Sequence, residues 1–282
     1  MTSTTATAPV HPAPNRRRRR RRLGAAAVAA GILVAATACN ATMDGQTLTA
    51  LDAQEESFFS NGDEPYLAVI QFRVIPGVPG STHVQFLGNL AEIAQNIDDG
   101  DSATIPDSMA LASFTDVRFA NLEQIIGGTS PEIVGAVTVA MESDASPWSA
   151  INGIMNDVAG ELDNQLRTQI EPMTFLDIVN GDTAATKLAN AAAAIQAAAE
   201  PEFWEAVGIF FSSFGDPDDV IGFKVLFNVA VAGSDLQTIV DTKLGTGLPA
   251  TVVGGALRNE SIDVDYSGDG ATYRVRWNIT ST

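Results

Sequence analysis

Cysteine is the scarcest chemistry in this 282-residue chain: Cys39 is the only one, so no disulfide can close within it. Histidine is nearly as rare, with His11 and His83 alone. A zinc site draws three or four ligands from His, Cys and carboxylates, and this supply argues against one. A Ser-His-Asp triad would have to rest on His83, and no G-x-S-x-G elbow is present to offer its serine. P-loop and G-x-G-x-x-G fingerprints are missing as well, which removes the common nucleotide-binding signatures. Three tryptophans and three tyrosines give few ring faces for stacking on sugars. Beyond residue 38 no apolar run reaches the roughly 18 residues of a membrane-spanning helix.

Basic residues are also few, and they are unevenly placed. Seven of the 16 form the run Arg16 to Arg22, whereas none of the 34 acidic residues precedes Cys39. From Cys39 onward 9 basic residues stand against 34 acidic ones over 244 residues, a formal net charge of −25. Such a body repels nucleic acid and anionic lipid head groups, which excludes DNA binding and a polybasic membrane role. It suits cations or a cationic partner. Hydrophobic residues make up 45% of the chain, enough for a real core in one large domain or two small ones.

What the chain does hold begins with its first 39 residues. The arginine run leads into an apolar segment, Leu23 to Ala38, and Cys39 follows at once. A basic n-region, a short apolar h-region and a small-residue exit make a secretory signal. Its roughly 16 apolar residues fall short of a span. Ala36-Thr37-Ala38-Cys39 resembles the lipobox of bacterial lipoprotein precursors, with alanine at the position where leucine is usual. The resemblance implies cleavage before Cys39 and a diacylglycerol on its sulfur, so that the membrane is reached through an N-terminal lipid anchor. A lone cysteine placed there agrees with that reading. Ala36-Thr37-Ala38 also satisfies the A-x-A rule of ordinary signal cleavage, whose product would be soluble and secreted. The arginines before Leu23 resemble in part a twin-arginine export signal, so the export route stays open between the two systems. The expected organisation is therefore a signal peptide over 1–38, a lipidated Cys39 with a flexible tether over 39–63, and a globular domain over 64–282. The tether rests on the polar, small composition of residues 40–63.

In the globular part, Tyr66 to Ile75 is β-branched and aromatic and stops at Pro76-Gly77, as a strand would. Val84 to Phe86 reads as a short strand, Leu87 to Ile97 as a helix with one apolar stripe, and Met109 to Phe119 as a strand. Glu132 to Glu142 is apolar on both faces, the pattern of a central strand. After the Ser146-Pro147 start signal, Trp148, Ile151, Met155, Val158, Leu162, Leu166 and Ile170 recur at helical spacing, ending before Pro172. Gly153 and Gly160 interrupt that helix and suggest close packing on a sheet. Helices follow over Thr183 to Glu200 and Glu202 to Phe214, then a strand from Val220 to Ala232. A short helix from Ser234, with Gln237 as its capping-box partner, runs to Leu244. The last segment is a hairpin around Asp269-Gly270. Its turn pairs Tyr266 with Tyr273, Val264 with Val275 and Ile262 with Trp277 on one face, and Asp265 with Arg274 and Asp263 with Arg276 on the other. The fold class is a single α+β domain with a mostly antiparallel sheet packed on one face by amphipathic helices. A mixed sheet with strand–helix–strand crossovers is the alternative.

Candidate functional residues are few. Cys39 is the lipidation site. Asp98, Asp99 and Asp101, with Asp107 nearby, offer hard oxygens to calcium, though not in EF-hand spacing. Asp216, Asp218 and Asp219 form a second acidic turn. No other cofactor is indicated, and no catalytic residue stands out. Phe203, Trp204, Phe210, Phe211 and Phe214 would line a pocket for a small apolar ligand or else pack in the core. Together these point to a cell-envelope lipoprotein acting as a non-catalytic module for a ligand or an envelope partner. The alternatives are an extracytoplasmic hydrolase with a carboxylate site and a structural envelope protein. Oligomeric state is not written in the sequence.

Overall fold

The computed structural model describes residues 38–53, 63–143, 148–175, 220–244, 248, 250–268 and 270–282. In chain order the strands and helices are β1 (Ala38–Asp52), β2 (Pro65–Val74), β3 (His83–Phe86), β4 (Ser102–Thr104), α1 (Asp107–Ala110), β5 (Leu111–Arg118), α2 (Leu122–Ile126), β6 (Ile133–Glu142), α3 (Trp148–Gln165), β7 (Val220–Val229), α4 (Ser234–Leu244), β8 (Val252–Ala256), β9 (Glu260–Gly268) and β10 (Ala271–Ser281). The fold is α+β and its strand pairs are antiparallel, except that β7 and β8 run parallel across the α4 crossover. The strands make two sheets. The inner sheet has the order β3-β2-β6-β7-β8; the outer has the order β4-β1-β10-β9, with β5 also paired to β1.

The inner sheet is the middle layer because β6 has no solvent side: all ten of its residues are buried. Alternation sorts its neighbours onto two cores. Tyr66, Ile70, Phe72, Val137, Val139, Val225 and Phe227 meet α3 and α4. Leu67, Val69, Val134, Ala136, Ala140 and Leu226 instead meet Met43, Leu48, Tyr273, Val275 and Trp277 of the outer sheet. The helix-covered antiparallel sheet expected from the sequence is present, and a second sheet closes its other face. Across the inner sheet one row reads Phe72, Gly135, Phe227, Gly254. A Cβ at Gly135 would come 2.4 Å from the Phe72 ring and one at Gly254 would come 2.3 Å from the Phe227 ring. Each ring lies over a glycine of the next strand, which lets large side chains pack low against the sheet.

The C-terminal hairpin has the expected register at all five pairs. On its exposed face Arg274 holds both oxygens of Asp265 at 2.7 and 2.9 Å, and Arg276 those of Asp263 at 2.9 and 3.2 Å. These hydrogen bonds hold both carboxyls below their ordinary range. Helix α3 buries Ile151, Met155 and Leu162 as predicted, and a π-helical turn, Leu166–Ile170, extends it so that Leu166 and Ile170 also face inward. Its first residue, Trp148, meets Tyr66 of β2 edge-on at 5.0 Å. Just past the turn, Glu171 accepts hydrogen bonds from the Gly80 N–H at 2.6 Å, the Thr82 N–H at 3.2 Å and the Thr82 hydroxyl at 2.6 Å. The Thr82 hydroxyl is the main reason its carboxyl stays below the usual range. A second carboxylate joins the sheets: Glu132, buried before β6, takes the Arg73 guanidinium at 2.5 Å and the Arg118 N–H at 2.8 Å.

Four expectations need correction. The tether assigned to 39–63 is folded through Asp52: β1 lies between β10 on one side and β4 and β5 on the other, with Ala41, Met43, Leu48 and Ala50 buried. Its small and polar residues alternate with the buried ones, and a bulge between Gly45 and Thr47 shifts the phase by one residue, which hides the period. Residues 54–62 lie outside the described part, as do the helices expected over 183–214. Leu87 to Ile97 is not helical. The β2 edge takes its N–H groups, Leu87 donating to Val69 O at 3.0 Å and Ile93 to Pro65 O at 2.7 Å, and Gly88 and Asn96 have positive φ. The capping box forms at Asn121 and Gln124 of α2, while at α4 the Gln237 N–H donates to Gly233 O. Gly153 and Gly160 do not pack on the sheet: both are exposed, and a Cβ at either would meet nothing within 4 Å.

That exposure gives a direct stability test. Gly153→Ala and Gly160→Ala should each stabilise the protein by up to about 1 kcal/mol, the helix-propensity difference between the residues. Urea unfolding at constant m-value measures it, and a loss of stability in either variant would show that α3 needs its glycines.

Candidate functional site

The two sheets approach most closely at one corner, where glycines of β7 and β9 meet. At the corner a Cβ on Gly222 of β7 would lie 3.2 Å from the Ser267 backbone nitrogen, and one on Gly268 would lie 2.4 Å from Ile221 O. Beside it, Thr138 of β6 and Tyr266 of β9 share a buried hydrogen bond of 2.6 Å, and burial pushes the Tyr266 phenol above its ordinary range. At the far end of β7 a pocket of about 230 Å³ opens between the sheets. Its apolar lining includes Leu226 of β7, Val253 of β8, Ile262 of β9 and Ile279 of β10.

Asn228 is the polar residue inside it. It stands on β7 opposite Val134 and Gly255, is only 3% exposed, and follows an otherwise apolar run. Its Nδ2 donates to Ala256 O at 3.4 Å, while Oδ1 is buried with no hydrogen-bond partner. A buried amide oxygen left without a donor costs on the order of 1–3 kcal/mol, so its place in a pocket lining calls for a reason. The mouth carries charge. Arg258 donates through Nη1 to Asp241 Oδ2 and through Nε to Glu260 Oε2 at 3.0 Å. Asp241 Oδ1 accepts the Ala256 N–H at 2.7 Å, which fastens α4 to β8. Gly255 leaves room for this bond, since a Cβ there would sit 3.0 Å from Asp241 Oδ1. The arrangement offers an apolar cavity, one inward acceptor and an ionic rim of two carboxylates and one guanidinium.

The residues singled out from the sequence lie elsewhere. Cys39 is half-buried at the start of β1, opposite Val117 of β5, and the next residue, Asn40, exchanges two 2.9 Å backbone bonds with Thr282. Asp98, Asp99 and Asp101 are exposed turn residues. Asp99 Oδ1 accepts the Ala53 N–H at 2.6 Å and Asp101 Oδ2 accepts the Asp98 N–H at 3.3 Å. Among the described residues no group of three or more His, Cys, Asp or Glu side chains is placed to hold a metal. His83 is exposed at the start of the edge strand β3. Asp107 faces Asp44, whose carboxyl is raised first by burial and then by that neighbour. Asp216, Asp218 and Asp219, and the aromatic set Phe203, Trp204, Phe210, Phe211 and Phe214, lie outside the described residues. Among the described residues no helix is long and apolar enough to cross a membrane.

Sequence reading missed Asn228, Asp241, Arg258 and Glu260. The available signal was one amide inside Val225-Leu-Phe-Asn-Val229, on the face opposite the large residues, and the glycine pair of Val252-Val-Gly-Gly-Ala256. Asn228→Leu should raise stability by about 1 kcal/mol, because it removes an unmatched buried oxygen at similar volume. Urea unfolding decides: a clear loss of stability would mean that the amide serves the fold and not a ligand. Compared with known protein families, curated proteins and solved structures, the chain finds no match in any of the three.

Proposed function

We propose that this chain is a cell-envelope lipoprotein, anchored through Cys39, that holds a small ligand in the inter-sheet pocket without transforming it. The observation that carries the binding role is Asn228 Oδ1, buried in the pocket lining without a partner. An acceptor left unmatched in a pocket lining is completed by whatever occupant brings it a donor. The non-catalytic reading rests on Arg258. It bonds to both carboxylates at the mouth, so that Asp241 and Glu260 are held in one ion-paired group. The anchor rests on the leader and on where β1 begins. A cut before Cys39 would remove only Ala38 from the strand and leave every pair from Cys39 to Asp52 in place.

One observation favours the hydrolase reading instead. Asp44 has a raised carboxyl beside Asp107 and an unpartnered Oδ1, the environment of a general acid. It stands on β1 and not in the pocket described above, so binding remains the reading we adopt.

Two measurements test the proposal. A screen of compounds with about eight non-hydrogen atoms, followed by NMR, should give hits that shift the Asn228 side-chain amide and the Val253, Ile262 and Ile279 methyls. Val253→Phe, which fills the pocket from the β8 edge, should abolish them with the fold intact. Hits that survive Val253→Phe would place binding elsewhere. For the anchor, the wild-type chain should fractionate with membranes and carry an acyl mass. Cys39→Ala should shift it to the soluble fraction, and a variant that stays with membranes would sink the anchor.

A further inference from the structure

The pocket also constrains the chemistry of its occupant. Taking it as the binding site, we infer that the ligand is a small ammonium ion on a compact, branched apolar body. Size comes first: about 230 Å³, at roughly 30 Å³ per non-hydrogen atom, admits about eight such atoms. The walls fix the body. Leu226, Val253, Ile262 and Ile279 present branched aliphatic groups from four strands, so the part of the ligand between them is apolar.

The inner end fixes the polar group. Asn228 gives one Nδ2 hydrogen to Ala256 O, and its Oδ1 is the buried acceptor left unmatched, so the group set against that oxygen must donate. A carboxylate, ketone or ether would bring a lone pair against a lone pair. An alcohol brings one proton and an ammonium three. The rim then separates the last two. Asp241 and Glu260 carry two negative charges against the single positive charge of Arg258, and the guanidinium already donates to both. Glu260 Oε1 has no partner among the described residues, so acceptor capacity remains at the mouth. Beyond the rim, a body with net charge −25 concentrates cations and repels anions. Cavity size, inner acceptor, rim charge and long-range field therefore select the same class, a protonated amine of low mass.

A matched trio tests this: isopentylamine, isopentanol and isovalerate share one branched skeleton and differ in charge. Titrated into the protein at pH 7 and low salt, the amine should bind at least tenfold more tightly than the alcohol, and isovalerate should not saturate. Glu260→Gln should weaken the amine several-fold and leave the alcohol unchanged. Asn228→Leu should abolish both. If isovalerate or isopentanol binds as tightly as the amine and Asn228→Leu still abolishes binding, the pocket stands and the amine class falls. If none of the three binds, or if the amine binds Asn228→Leu or Val253→Phe as it does wild type, the site itself falls.

Discussion

Strand β6 is the constraint on which the other layers depend. It is covered on one face by helices and on the other by a second sheet, and every residue from Ile133 to Glu142 is withdrawn from water. A strand in that position must satisfy its backbone on both edges, and it does so through β2 and β7. It must also leave room on both faces. Gly135, Ala136 and Ala140 provide the room, with Phe72 lying over Gly135 on the helix side and the outer sheet close against the alanines. Glu132, at its entrance, ties β2 to β5 by accepting from Arg73 and Arg118. Remove the small residues and the three layers could not approach to contact distance.

The same geometry creates the pocket. Backbone glycines bring β7 and β9 together at the Gly222–Gly268 corner, and toward Asn228 a pocket remains between the sheets. What is particular here is the placement of one amide inside the pocket and an Arg–carboxylate fork across its mouth. The α4 crossover supplies Asp241 and the short β8–β9 link supplies Arg258, so the rim is assembled from segments joined by the one parallel strand pair among the described residues.

Cys39 changes meaning in this frame. Composition suggests a loose tether beyond it, yet β1 starts at Ala38 and is paired on both sides. A lipid on Cys39 would therefore join the folded body with no spacer, next to the pairing of Asn40 with the C-terminal Thr282.

Local rules were enough wherever a pattern had to satisfy two faces at once. The C-terminal hairpin was readable to the residue because its turn, apolar pairs and ion pairs all demand one register. The doubly apolar run of β6 announced a central strand, and the stripe from Trp148 to Ile170 announced a helix. Local rules failed where the partner of a segment lies far away in sequence. The β1 alternation is broken by a bulge and consists of small residues whose burial depends on β10 and β5. The stretch from Leu87 to Ile97 has a helical stripe, but its N–H groups go to the β2 edge. The candidate site belongs to the second kind. Asn228, Asp241 and the pair Arg258 and Glu260 come from three separate segments and form no motif. The sequence by itself determined composition, charge and the elements whose two faces agree. The meeting of two sheets, the pocket between them and the unmatched amide inside it were decided by tertiary structure, because spacing along a chain does not encode which distant backbones will touch.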